Sequence, residues 1–106
     1  MARTLIHAPT TARKGEVVEI RTLIAHPMET GYRAGADGRT LARDIIRRFS
    51  CRYNGEVVFS ADLYPAISAN PYLAFSVVAD TTGSLTFTWE GDNGFAQTES
   101  AAITVS

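Results

Sequence analysis

Cysteine and histidine are scarce in this 106-residue sequence: Cys51 is the only cysteine, and His7 and His26 are the only histidines. A single cysteine cannot form a disulfide within the chain, so the cysteine count does not indicate a redox compartment. Zinc and iron sites usually need three or four closely spaced ligands, and the sequence contains no such cluster. We therefore expect neither a metal site nor a cofactor.

Long hydrophobic runs and catalytic motifs are also missing. No stretch of about 18 apolar residues is present, which excludes a membrane-spanning helix, and the first ten residues lack the apolar segment of a signal peptide. The sequence has no Gly-x-Ser-x-Gly motif, phosphate-binding loop or dinucleotide-binding fingerprint. These absences leave no recognisable active site and favour a binding or assembly module over an enzyme.

Basic side chains are missing from the second half of the chain. Residues 1–52 contain all ten Lys and Arg together with five acids, a net charge of +5, whereas residues 53–106 contain six acids and no base. The overall charge of -1 and the pI near 6.1 argue against nucleic-acid binding. The asymmetry indicates either a basic patch for an anionic ligand or acidic partner, or two halves whose charges mix on one folded surface. We favour the second interpretation.

Strand signals dominate what is present, and helix signals are nearly absent. Segments of alternating apolar and polar residues are separated by clusters of Gly, Pro, Asn and Asp, a pattern typical of short β-strands joined by tight turns. We predict a single all-β domain over residues 1–106, an antiparallel immunoglobulin-like β-sandwich of about six or seven strands. A small Greek-key barrel is the alternative. The predicted strands are residues 4–8, 16–25, 45–53, 56–63, 72–79, 84–90 and 95–105.

The Asn54-Gly55 dipeptide marks a hairpin turn between two of these strands. This dipeptide between alternating apolar residues is the strongest short-range hairpin signal, because both turn residues need positive φ. Both faces of the resulting hairpin are partly apolar, so we expect one to cover the core and the other to meet a partner chain. The predicted pairs are Tyr53 with Glu56, Cys51 with Val58 and Phe49 with Ser60 on one face, and Arg52 with Val57 and Ser50 with Phe59 on the other.

Residues 28–44 form the longest segment without a regular pattern. Three glycines and charges of both signs predict an exposed, mobile loop there. A loop of that length inside a compact domain is usually functional or disordered.

Cys51 lies in the middle of a predicted strand. A free cysteine usually behaves as a small buried hydrophobe, whereas a reactive thiol is partly exposed and lies near positive charge. We favour a packing role, with an intermolecular disulfide and a reactive thiol as alternatives.

Several segments of the sequence resemble the SoxZ family. They are Ala25-His-Pro-Met-Glu-Thr-Gly31, Asn54-Gly-Glu-Val-Val-Phe59, Ala66-Ile-Ser-Ala-Asn-Pro-Tyr72 and the Asp/Asn-Gly corner that follows Trp89. Their order and spacing fit the family over nearly the whole chain. SoxZ is the small subunit of the SoxYZ carrier in bacterial thiosulfate oxidation.

The resemblance implies an immunoglobulin-like subunit that pairs with a SoxY-like chain in a heterodimer. The cysteine that holds sulfur intermediates lies on the partner's flexible C-terminal arm. The present sequence ends Ala101-Ala-Ile-Thr-Val-Ser106 without a Gly-Gly-Cys-Gly tail, so it resembles the non-carrying, non-catalytic subunit. The family also implies a periplasmic location, export together with a partner that has the signal peptide, and transient contacts with other Sox enzymes through the complex.

Two surfaces follow as expectations. The partner interface is predicted around Val57, Phe59, Ile67, Pro71 and Tyr72, and a homodimer of the isolated chain through this surface is compatible with that prediction. The path of the partner's anionic arm is predicted to be bordered by His26, Met28, Arg33 and Arg39. The rival functions are a thiol carrier or enzyme that uses Cys51, and an unrelated sandwich that binds carbohydrate or protein.

Overall fold

The computed structural model describes residues 2–106, which form eight β-strands and one single-turn 3₁₀ helix. Every predicted strand is present within a residue or two of its expected bounds, and a two-residue strand is added before the second of them. The 3₁₀ turn is Asp92–Gly94. The strands are β1 (Thr4–His7), β2 (Thr11–Ala12), β3 (Val17–Ile24), β4 (Ile46–Tyr53), β5 (Glu56–Asp62), β6 (Tyr72–Val78), β7 (Gly83–Gly91) and β8 (Ala96–Val105).

The strands form two sheets, which confirms the predicted sandwich. The small sheet has three strands in the order β1-β3-β6, and the large sheet has five in the order β2-β8-β7-β4-β5. All pairs are antiparallel except β2 with β8, which is parallel. Pro9 lies between β1 and β2, where the chain crosses from the small sheet to the large one, and its missing N–H is not needed by either ladder. Both sheets have open edges, unlike the strands of a closed barrel.

An aromatic cluster fills the space between the sheets. Phe49 on β4 is fully buried, and its ring centroid lies 5.3 Å from that of Trp89 and 5.8 Å from that of Phe75 on the opposite sheet. Rings at such separations contribute about 0.5–1.5 kcal/mol beyond the area they bury. The inward residues of β7, Leu85, Phe87 and Trp89, alternate with exposed or half-exposed polar ones as the sequence predicted.

The hairpin has the predicted turn but not the predicted register. Asn54 and Gly55 both have positive φ, and Tyr53 pairs with Glu56 as expected. A β-bulge then shifts the register, so that Cys51 pairs with Phe59 instead of Val58. Since a one-residue shift moves a side chain to the other face of a strand, the bulge turns Phe59 towards the core. Its ring stacks on that of Phe75, with centroids 4.3 Å apart.

The segment between β3 and β4 is also more ordered than the prediction of an irregular loop. Glu29 and Asp44 exchange two backbone hydrogen bonds of 2.8 Å, and Gly35 N donates to Arg39 O at 2.7 Å. The segment is therefore a hairpin-like excursion whose ends are held together.

Candidate partner-binding surface

The five residues of the predicted partner interface differ in how exposed they are. Val57, Ile67 and Tyr72 are exposed, whereas Phe59 is half-buried against Phe75 and Pro71 is buried. Pro71 is therefore not accessible and Phe59 is only partly so, while the role of these residues in an interface stays a prediction. The bulge accounts for Phe59, and Pro71 is covered where its carbonyl accepts a hydrogen bond from the last residue of β3.

The three exposed residues do not form one patch. Val58, next to Val57, lines the same depression as Val78 at the end of β6. Tyr72 begins β6, so it lies about 20 Å from Val78 along this seven-residue strand. The Val57 surface and the Tyr72 surface are therefore at opposite ends of the sandwich.

The outer side of the small sheet presents an apolar surface that was not predicted from the sequence. Leu5, Leu23 and Tyr72 are directly paired on three neighbouring strands and form one row across that sheet. Leu5 is 64% exposed and Tyr72 57% exposed. A second apolar pair, Val17 with Val78, lies at the far end of the same face, and both side chains are exposed. Residue alternation in β1 and β3 could have indicated these positions.

The outer side of the large sheet has the opposite character. Its central row consists of hydroxyl residues on four neighbouring strands, and two of them, Thr88 and Thr98, are hydrogen-bonded to each other at 3.2 Å. Neighbouring rows contain Arg, Thr, Ser and Glu, and Val57 at the edge is the one large exposed hydrophobe among the paired residues. The central row is Ser60, Ser50, Thr88 and Thr98. The large sheet thus has an ordinary hydrated face, and the small sheet does not.

His26 and Met28 do not border an exposed path. Both are buried, with 5% and 4% of their surface accessible. His26 Nδ1 accepts a hydrogen bond from the backbone N–H of Met28 at 3.0 Å, and its ring meets that of Phe95 edge to face. Met28 has a positive φ, and its Sδ accepts a hydrogen bond from Ile46 N at 3.2 Å. Burial of both side chains corrects the expectation that they are accessible: Met28 is held against β4, and His26 packs on Phe95.

Arg33 and Arg39, the other predicted border residues, are exposed on the excursion. Arg33 donates to the Glu29 carboxylate at 2.6 Å. This hydrogen bond lowers the pKa of Glu29 and raises that of Arg33. Arg39 has no acidic partner within ion-pair distance among residues 2–106. The structure therefore leaves Arg39 as the freer of the two positive charges.

Asp92 connects the excursion to the turn between β7 and β8. Its carboxylate accepts two hydrogen bonds from Arg43, at 2.8 and 3.0 Å, and lies 3.2 Å from Arg47 Nε. The backbone N–H of Ile45 also donates to it, at 3.2 Å. The hydrogen bond from Arg43 is the main reason that the pKa of Asp92 is lowered.

The basic half and the acidic half of the sequence interleave in the fold. Besides the Asp92 contacts, Arg48 pairs with Asp62 at 3.0 Å, and Lys14 lies 4.0 Å from Asp80. Each of these pairs joins a base before residue 53 to an acid after it. Four bases of the first half thus pair with three acids of the second half on folding, which supports the second interpretation.

Cys51 is inside the sandwich. Its side chain is fully buried between its neighbours Phe59 and Phe87 on the adjoining strands. Burial raises the pKa of the thiol from 9.0 to about 11, because the thiolate would lose its hydration. A thiol in this position is protonated and inaccessible at neutral pH, which supports a packing role.

Within residues 2–106, no three His, Cys, Asp or Glu side chains are grouped closely enough to hold a metal ion. The same residues include no helix that is long and apolar enough to cross a membrane.

Comparison with known families shows which family the chain belongs to. The model of the family "Sulphur oxidation protein SoxZ" matches residues 6–102. The chain belongs to the SoxZ family. The match covers both sheets and the excursion between them, and it places the chain among the Sox sulfur-oxidation proteins. No curated protein sequence matches the chain significantly.

Solved structures share the fold of this SoxZ-family chain at low sequence identity. The sulfur carrier protein SoxY from Chlorobium limicola f thiosulfatophilum is 16% identical with a TM-score of 0.67, and the similarity covers 97% of this chain and 78% of that one. A superoxide reductase (neelaredoxin) from Ignicoccus hospitalis is 17% identical with a TM-score of 0.75, covering 99% and 82%. Similarity at this level establishes a common sandwich fold.

Proposed function

We propose that this chain is the non-catalytic subunit of a SoxYZ-type carrier and scaffolds a SoxY-like partner whose C-terminal cysteine carries sulfur intermediates. The observation that supports the proposal most is the family match over residues 6–102. The burial of Cys51 agrees with it, because the one thiol of the chain is not placed to accept a sulfur group. The proposed location is the periplasm, reached by export together with the partner.

Binding to the partner is the first test. The chain and the SoxY-like protein of the same organism are co-expressed, purified through a tag on the partner, and examined by sedimentation velocity. We expect one 1:1 heterodimer. Two species that sediment separately would contradict the proposal.

The rival function, sulfur transfer by Cys51 itself, is tested with Cys51→Ala. In a reconstituted thiosulfate-oxidising system we expect this variant to support the wild-type rate, provided that it folds. Alanine removes the thiol and leaves the side chain short, so circular dichroism and a melting curve serve as the folding control. A folded variant without turnover would favour the rival.

Arg33 and Arg39 remain candidates for a border of the partner's anionic arm, since both are exposed on the excursion. Charge reversal at Arg39 tests this more sharply than at Arg33, because Arg33 is already paired with Glu29. We expect Arg39→Glu to slow turnover by the complex and Arg52→Glu, an exposed arginine at the hairpin, to leave it unchanged. Equal rates for the two variants would remove Arg39 from the proposal.

A further inference from the structure

All three asparagines of this chain have a left-handed backbone, with φ of 50° at Asn54, 56° at Asn70 and 59° at Asn93. Asn54 and Asn93 each precede a glycine that also has positive φ, whereas Asn70 precedes a proline. The backbone nitrogen of the residue after an asparagine can attack the side-chain amide, and a following glycine leaves this approach open because it has no Cβ. Proline has no N–H, so Asn70 cannot react in this way.

Side-chain contacts distinguish the two Asn-Gly turns. The Asn54 amide is held at both ends, since its Nδ2 donates to Thr81 Oγ1 at 3.0 Å and its Oδ1 accepts from the backbone N–H of Ser84 at 3.0 Å. The same side chain fills the space that a Cβ on Gly83 would occupy. Rotation of the amide towards the nitrogen of Gly55 therefore requires both hydrogen bonds to break.

Asn93 has no such restraint. It is the middle residue of the 3₁₀ turn Asp92–Gly94, and both it and Gly94 are exposed. Within residues 2–106, the side-chain hydrogen bonds of this turn go to the Asp92 carboxylate, and none involves Asn93. A Cβ on Gly94 would meet no atom within 4 Å, so the turn is uncovered at this residue.

We propose that Asn93 is a site of spontaneous deamidation, at which the side-chain amide is converted to isoaspartate or aspartate. The nitrogen of Gly94 forms a bond with Asn93 Cγ and loses its proton, the bond from Cγ to Nδ2 breaks, and Nδ2 leaves as ammonia. Water then opens the cyclic imide. Cleavage of the ring bond at Cγ gives aspartate, and cleavage at the backbone carbonyl carbon gives isoaspartate. The reaction needs only water, involves no oxidation or reduction, and is independent of the proposed function.

Isoaspartate at this position weakens the anchor of the excursion, because it routes the backbone through the side chain and lengthens it by one carbon. The turn is closed by hydrogen bonds from Phe95 N to Asp92 O at 3.1 Å and from Gly91 N to Phe95 O at 2.8 Å. The excursion is held through both of these residues, since Asp92 accepts hydrogen bonds from Arg43 and Phe95 packs on His26. Ordinary aspartate adds a charge but leaves the backbone intact.

Peptide mapping by mass spectrometry compares the two Asn-Gly sites within one native chain. The wild type is incubated at mildly alkaline pH with and without urea, and conversion of amide to acid is followed at Asn93 and Asn54. Two hydrogen bonds of ordinary strength should slow the reaction of Asn54 by roughly 30-fold. We expect a ratio of this size in the native protein and similar rates in urea, where both turns are lost. Equal native rates, or an Asn93 that reacts only in urea, would overturn the proposal.

Thr81→Ala tests the cause of the difference. This variant removes the acceptor for Asn54 Nδ2, so we expect the reaction of Asn54 to accelerate about fivefold, with the rate at Asn93 unchanged. A circular dichroism spectrum and a melting curve serve as the folding control. An unchanged rate at Asn54 in the folded variant would show that its hydrogen bonds do not protect it.

The effect on the excursion is tested with the isoaspartate form, isolated by anion exchange and assigned to position 93 by peptide mapping. Its melting temperature is compared with that of Asn93→Asp, which adds the same charge on an intact backbone. We expect the isoaspartate form to melt lower by about 4 °C or more and Asn93→Asp to stay close to the wild type. Equal melting temperatures for the two forms would contradict the weakened anchor.

Discussion

Burial of Cys51 makes the stability of the protein depend on pH in a defined window. The pKa of the thiol is about 11 in the folded state, against 9.0 when it is exposed. Between these values the unfolded state loses the proton and the folded state keeps it, so ionisation favours unfolding as the pH rises. At about 1.36 kcal/mol per pKa unit, the free energy of unfolding falls by about 1.3 kcal/mol between pH 8 and pH 10, and by up to about 2.7 kcal/mol above pH 11.

Urea unfolding of the wild type and of Cys51→Ala at pH 8 and pH 10 measures this contribution. Tyrosine and lysine side chains titrate in the same window, but they are common to both proteins, so the difference between the two pH dependences isolates the thiol. We expect the wild type to lose about 1.3 kcal/mol more than Cys51→Ala over this interval. The alanine variant is less stable at both pH values, but this offset cancels when only the change between pH 8 and pH 10 is compared.

The rate at which Cys51 is alkylated in the native protein gives a second test of its burial and raised pKa. At pH 8, a pKa of about 11 instead of 9.0 lowers the thiolate fraction about 100-fold, and burial slows access further. We expect native Cys51 to react with iodoacetamide at least 100-fold more slowly than the unfolded chain. Rapid stoichiometric labelling, or equal pH dependence of stability in both proteins, would refute the argument that Cys51 is a packing residue.

Three further predictions concern the contacts that shape the two ends of the sandwich. A Cβ on Gly83 would overlap the Asn54 side chain, so Gly83→Ala should lower the melting temperature, and Asn54→Gly in the same chain should remove most of that loss. Phe59→Ala should lower the free energy of unfolding in urea by about 2–3 kcal/mol, because the ring stacks in the core. Val57→Ala should change it by no more than about 0.5 kcal/mol. Similar losses of stability in the two variants would contradict the bulge. Asp92→Asn should destabilise the protein at neutral pH. Since the pKa of Asp92 is lowered in the folded state, this difference should disappear as the pH falls through that pKa, below 3.8, and a constant difference down to pH 2 would count against the ion pairs.

The strand order along the chain could be predicted because its signals are local. Asn54 and Gly55 determine a turn through their own φ preferences, and alternation along β7 indicates which residues face the core. These signals sufficed for the fold class. The bulge beside Cys51 has no such signal, since it depends on how Phe59 fits against Phe75 on the other sheet.

The candidate site was harder to predict, because exposure depends on which segments cover one another. His26 looked like an exposed loop residue, yet Phe95, distant in the sequence, packs on its ring. Pro71 looked like a surface corner, yet it is buried where its carbonyl accepts a hydrogen bond from Ile24 N at the end of β3. Leu5 lies in a strand that the sequence predicts, but the continuous apolar row becomes visible only through the pairing of Leu5 with Leu23 and of Leu23 with Tyr72.

We propose above all that this chain binds a sulfur-carrying partner and takes no sulfur itself. The most direct test is the intact mass of each subunit after the reconstituted complex has turned over thiosulfate. We expect a sulfur-containing adduct on the C-terminal cysteine of the SoxY-like partner and an unchanged mass for the present chain. An adduct on Cys51 would contradict it.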